Sequence, residues 1–238
     1  MSWDQSELTR RELLKLGAAG AGLLAFGEIL LSQQLIGKVI SFGLPVTTAI
    51  WLVIPLGEII AVALLFVYIH QTGRAIRTFL GDLNLRWWEV ILLPIGLFIV
   101  GQLFGQVGNL LFSRLGGTVP SMGRAGGAIV PHMPLQFLLA TLGAILGGGF
   151  CEEFIFRSYL LSALSKQIPV MPAAILTIIL FGAIHVVGFG WYSLINLALW
   201  AIPITLYVIR SGKLVPAMLA HALNDVLIFV ILLPLLAR

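Results

Sequence analysis

Apolar runs separated by short polar breaks dominate the chain. They fall near residues 17–36, 44–69, 88–112, 134–164, 172–189, 191–209 and 214–236. Each is long enough to cross the hydrocarbon core of a bilayer as a helix, which takes roughly 17–25 residues. The fourth run is longer than a bilayer requires, so its end is expected to project or tilt. The pattern predicts an all-α, polytopic integral membrane bundle of about seven transmembrane helices. No Pro/Ser-rich linker, long charged run or internal repeat divides it, so residues 1–238 read as a single membrane domain. The one low-complexity patch is a Gly-rich stretch around GGTVPSMGRAGG.

Composition agrees. The 238 residues are 59% hydrophobic and 10% charged, against about 25% charged for a soluble domain. Mean hydropathy is +1.05. The net charge of +4 does not indicate a nucleic-acid partner, because the basic residues sit in short loops, where they set topology. Arg10, Arg11 and Lys15 precede the first run. If they stay inside, the inner segments also hold Arg74, Arg77, Arg86, Arg157, Lys166, Arg210 and Lys213, and the outer ones only Lys38, Arg114, Arg124 and Arg238. Ten positive charges against four predict a cytoplasmic amino terminus and an external carboxyl terminus. Trp87–Trp88 and Trp191–Tyr192 fall at span ends, where amphipathic rings favour the interface. The expected setting is a multi-pass protein of a bacterial inner membrane, with the lipid bilayer as its first partner.

The stretch Thr9 to Phe26, TRRELLKLGAAGAGLLAF, resembles a twin-arginine export signal. No A-x-A cleavage site follows, and six further spans do not suit export of a folded protein, so an ordinary first helix is the better reading. Cys151 is the sole cysteine, which excludes an internal disulfide and any CxxC motif. Beside two carboxylates it is poorly placed for a thiolate and reads as a small buried apolar residue.

Polar residues inside the spans change the picture. A charge at the bilayer centre costs at least about 2.5–3.5 kcal/mol, so such residues are functional candidates by default. They are Glu28, Glu58, Glu152, Glu153, Asp225, His185 and His221, while His70 and His132 sit at span edges. Glu28 and Glu58 are isolated, and a structural role suits them better than chemistry. Glu153 and Arg157 stand four apart with the acid first, which lets them pair on one helical face. That pairing leaves Glu152 rotated about 100° away. His221 lies three before Asn224 and four before Asp225, and Phe181 sits one turn before His185. Measured from the inner span ends, Glu152, His185 and His221 lie roughly 18, 20 and 10 Å deep. A modest tilt of the last helix brings the three to one level.

A carboxylate, two imidazoles and an Asn/Asp pair are the parts for hydrolysing a peptide bond. A partly desolvated glutamate is a competent base toward water. One histidine can hold that water or protonate a leaving amine, and the other, with its amide or carboxyl neighbour, can stabilise an oxyanion. The same donors suit a divalent metal such as zinc, because His₂-carboxylate sets occur in zinc hydrolases. HExxH is absent, and no serine is placed for a Ser/His/Asp triad. Two non-enzymatic readings compete. Polar pairs can simply bind helices together, at about 0.6–2 kcal/mol per hydrogen bond, giving a membrane scaffold or regulator. A transporter using the acids as proton relays should show internal repeats with paired broken helices, and none is evident.

The three clusters together resemble the CPBP intramembrane proteases, the family of CAAX prenyl protease 2-like and bacteriocin-processing enzymes. That family's EExxxR, FxxxH and HxxxN/D motifs correspond to Glu152-Glu153…Arg157, Phe181…His185 and His221…Asn224-Asp225. The resemblance covers about residues 134–236, the expected protease core. It implies an endopeptidase acting on a membrane-associated peptide or protein. In it Glu152 would activate water, His185 would orient that water, and His221 with Asp225 would form the oxyanion site. Glu153 and Arg157 would brace the geometry, with Phe181 supporting. Asp225 stands where asparagine is common, and a carboxylate donates only when protonated, so Asn224 is a candidate to share the role. The family has been described both as metal-dependent and as metal-free. The expectation here is no cofactor, with zinc as the alternative.

Overall fold

The computed structural model describes residues 31–32, 34–71, 75–119 and 128–237. Most of the first expected helix, the twin-arginine stretch, Arg10, Arg11, Lys15, Glu28, Arg74, Arg124 and Arg238 lie outside the described residues. The described chain is helical throughout apart from short connections. Its main helices are α1 (Val46–Gln71), α2 (Trp87–Arg114), α3 (Pro134–Ser165), α4 (Val170–Ile184), α5 (Tyr192–Ser211) and α6 (Val215–Leu236). All but α4 are long and apolar enough to cross a membrane. Leu64, Leu103, Leu110, Ile175 and Leu235 stand exposed on their outer faces, as a lipid solvent demands.

α4 corrects one expectation. The sequence predicts a helix over 172–189, but the structure ends it at Ile184 after 15 residues, about 22 Å and short of the ~30 Å hydrocarbon thickness. The change falls at His185, where ring and backbone take different carbonyls. An α-helix would bond the His185 N–H to the oxygen of Phe181. Here the His185 ring nitrogen Nδ1 lies 2.7 Å from that oxygen, and the backbone N–H turns to Gly182 instead, at 3.3 Å. A short helix, Val186–Phe189, follows and stops at Gly190, whose φ of +86° only glycine adopts readily.

α3 is wound more widely than an α-helix over Gly143–Glu152 and Phe154–Leu160, with i→i+5 bonding. Such π-turns are rare and concentrate at functional sites. Its glycines let neighbours close in. A Cβ on Gly143 would come within 2.8 Å of Pro55 in α1, and one on Gly149 within 2.7 Å of Ala222 in α6. α3 is therefore wedged between those two helices. The most extensive pairing joins α2 to α5. There Gly101, Gly105 and Gly108 form a small-residue stripe facing Trp200 and Asn196. Asn196 fastens it by donating to the Gly105 carbonyl and to Asn109 Oδ1, both at 2.8 Å.

Each end of the bundle has a strap. At one, Thr47 Oγ1 donates to the Ala128 carbonyl and Trp51 Nε1 to that of Ile129, at 2.9 and 2.7 Å. At the other, Lys213 bridges the α5–α6 turn to the start of α2. Its Nζ lies 2.7 and 2.8 Å from the Glu89 oxygens and 2.9 Å from the Asn84 carbonyl. The Asp82 N–H donates to the Gly212 carbonyl at 3.0 Å. Arg157, counted above among inner loop charges, proves to be fully buried inside α3. Removing it leaves nine positive charges inside against four outside.

Candidate active site

The foundation of the site is a buried ion pair. Arg157 Nη1 lies 2.9 Å from Glu153 Oε1, and neither side chain is exposed at all. A buried pair needs further partners to offset desolvation; the surrounding helices supply a ring and a hydroxyl, while, apart from the ion pair itself, Arg157 Nη1 and Nη2 and Glu153 Oε2 have no hydrogen-bond partner among the described residues. The guanidinium sits over the Phe181 ring at 4.1 Å from its centroid, a cation–π contact. Arg157 Nε donates to Thr205 Oγ1 on α5 at 3.4 Å.

Glu153 also anchors α6, because its Oε1 lies 2.8 Å from His221 Nδ1. A carboxylate already paired with arginine accepts, so Nδ1 carries the proton. The His185 ring is fixed in the same way, since the Phe181 carbonyl at 2.7 Å can only accept. With both Nδ1 atoms committed, both Nε2 atoms turn inward, toward Glu152. His185 Nε2 is 3.7 Å from Glu152 Oε1, and His221 Nε2 is 3.8 Å from Oε2. These separations exceed a direct hydrogen bond and are of the size a bridging water fills. Glu152 Oε2 has no hydrogen-bond partner among the described residues.

The fourth corner is Asp225, whose Oδ2 lies 3.7 Å from His221 Nε2. Its Oδ1 accepts from Asn224 Nδ2 at 2.9 Å. Asn224 Oδ1 in turn accepts from Gln102 Nε2 on α2. Gly148 forms the opposing wall. A Cβ there would collide with Asp225 Oδ2 and lie 3.4 Å from His221 Nε2. Aromatic rings close the surroundings. Phe181 lies 4.9 Å from His185, Trp200 lies 4.9 Å from His221, and Phe189 lies 6.0 Å from His185. Charges gathered in such apolar company interact strongly.

The structure thus brings together every site residue picked out in the sequence: Glu152, Glu153, Arg157, Phe181, His185, His221, Asn224 and Asp225. Glu58 packs against Gly147. Sequence reasoning missed Gln102, Thr205, Trp200 and the position of Gly148. Gln102 was detectable as an amide within an apolar span, but nothing in its neighbourhood names its partner. Trp200 and Thr205 lie on α5, which carries none of the three motifs. As for a metal, no group of three or more His, Cys, Asp or Glu side chains among the described residues has a geometry able to hold one.

An all-helical bundle with two adjacent glutamates inside its membrane-spanning part, one paired to an arginine and one between two histidines, defines a class of polytopic membrane protein with a buried acid–histidine cluster. A comparison with protein families narrows it. Residues 134–227, under half of the chain, match the family described as Type II CAAX prenyl endopeptidase Rce1-like. The matched stretch contains all three motifs. No curated protein and no solved structure matches the chain.

Proposed function

We propose that the protein is an intramembrane endopeptidase that cleaves a membrane-associated peptide or protein by glutamate-activated attack of water. The observation carrying this reading is the division of labour between adjacent glutamates. Glu153 is tied to Arg157 and His221, whereas Glu152 faces two imidazole Nε2 atoms across gaps that suit a water.

In the proposed reaction Glu152 removes a proton from water held against His185 Nε2, and the water oxygen attacks the scissile carbonyl. The negative charge then forming on the carbonyl oxygen meets a proton carried by His221 Nε2 or Asp225 Oδ2. As the tetrahedral intermediate collapses, the C–N bond breaks and Glu152 returns its proton to the leaving amine. The products are a carboxylate and an amine. Glu153 and Arg157 hold the Nδ1 side of His221 and never touch substrate. This mechanism uses no metal.

The test is cleavage of quenched-fluorescent peptides, with and without a farnesylated CAAX end, by detergent-solubilised protein. Glu152→Gln is expected to lower kcat by about a thousandfold or more, within the range seen when a general base or oxyanion donor is removed. His221→Ala is expected to do the same. Wild-type rates in both variants would exclude this site and leave a scaffold that keeps the fold without the chemistry. Chelation that abolished cleavage, with restoration by zinc, would replace the metal-free mechanism by the zinc-dependent one.

A further inference from the structure

We propose that Gln102, on a helix outside the matched segment, is a positioning residue that decides which oxygen of Asp225 faces the reaction. The inference rests on the peptidase reading above and deepens it. Asp225 has two chemically equivalent oxygens, and only one is useful to an oxyanion. Gln102 Nε2 donates to Asn224 Oδ1, and Asn224 Nδ2 donates to Asp225 Oδ1. An oxygen that accepts the Asn224 amide is not the one that carries an acid proton. The remaining oxygen, Oδ2, is therefore the one free to carry a proton, and it faces His221 Nε2 3.7 Å away. Whichever of the two atoms holds that proton, it is presented toward Gly148 and the space between α3 and α6.

The relay has a direction, and Gln102 sets it. An asparagine side chain is nearly symmetric in shape, so Asn224 can turn over and offer its oxygen to Asp225 instead. A donor at residue 102 prevents the turn by occupying Asn224 Oδ1. The arrangement answers a difficulty raised by this chain's own sequence. An asparagine at position 225 would carry a permanent N–H donor, whereas Asp225 is a donor only at the oxygen left free for a proton. Gln102 and Asn224 leave Oδ2 as that oxygen.

Two variants of nearly unchanged size test this. Gln102→Met removes the donor, and Gln102→Glu replaces it with an acceptor that rewards the turned-over Asn224. On the farnesylated quenched-fluorescent CAAX peptide, Gln102→Met is expected to lower kcat about tenfold and Gln102→Glu further, both with KM within about twofold of wild type. A packing role would instead move thermal stability and leave kcat alone. A second measurement needs no substrate. The infrared difference between wild type and Asp225→Asn isolates the Asp225 carboxyl band, and that band is expected to shift in Gln102→Met and to shift further in Gln102→Glu. A band unmoved in both variants overturns the relay, whatever the peptide assay gives. Loss of the peptidase reading shows itself separately, as wild-type cleavage in Glu152→Gln.

Discussion

At the scale of single residues, Arg157 carries the largest structural obligation. Among the described residues it is the bulkiest of the completely buried side chains, and it touches α3, α4 and α5 at once through Glu153, Phe181 and Thr205. Removing one partner of a buried pair leaves the other charged and unsolvated, at about 3–5 kcal/mol. Arg157→Met is therefore expected to destabilise the folded protein by that amount, measured as a fall in its thermal unfolding midpoint in detergent. Adding Glu153→Gln removes the stranded charge and should recover part of the loss. Equal stabilities in the single and double variants would show that the pair does not couple. Histidine behaves differently at this scale. His185 and His221 are each held through Nδ1 by one acceptor, so their orientation depends on a single atom, Phe181 O or Glu153 Oε1. The charge spacing of EExxxR made the Glu153–Arg157 pair legible in the sequence. The part played by Glu153 as the seat of His221 was not, because it joins residues 68 positions apart.

At the scale of helices, the glycines of α3 divide by neighbour. Gly149 admits Ala222, Gly147 admits Glu58, and Gly148 alone faces Asp225 and His221. A methyl group at each should thus have a different consequence. Gly148→Ala pushes against two side chains of the site, so kcat is expected to fall at least about tenfold, with little change in thermal stability, since side chains rather than backbone must move. Gly149→Ala meets a Cβ and a carbonyl on α6 at 2.7 and 3.1 Å, so it should lower the unfolding midpoint by separating the helices. Kinetics and unfolding curves on the two purified variants distinguish these effects. Gly148→Ala at wild-type activity would mean that Asp225 and His221 are not where the reaction occurs. Helix positions were largely readable because a lipid environment forces long apolar runs, and α1, α2, α3, α5 and α6 begin and end within a few residues of the predicted spans. The early end of α4 was hidden, because apolar residues continue past His185 and nothing in them marks a helix end. Gln102 was hidden for the opposite reason. Its helix carries no motif, so its partner Asn224 emerges only when α2 and α6 are packed together.

For the whole molecule the open question is which side of the membrane the site faces, and the two straps bear on it. The loop holding Asp82, Asn84 and Arg86 and the turn holding Lys213 meet at one end of the bundle. Ile129, at the far end of the connection after α2, meets the start of α1 at the other. The first end carries most of the basic residues, so the positive-inside tendency predicts that it lies in the cytoplasm even with Arg157 removed from the tally. His221 lies only six residues beyond Val215, the start of α6 at that same end, which on this orientation sets the site in the cytoplasmic half of the bundle. A substrate would then reach it from that half of the membrane or from the cytoplasm. Single cysteines test the orientation, with the native Cys151 buried and contributing little background. Leu115→Cys, at the exposed outer end of α2, is expected to react with a membrane-impermeant maleimide in intact cells. Asn84→Cys, exposed at the strapped end, is expected to react only after permeabilisation. The reverse pattern would invert the protein and turn the opening toward the cell exterior. Labelling of both sites in intact cells would show that the two ends do not lie on opposite faces of one bilayer, and with that the assignment of α2 as a membrane span would fall.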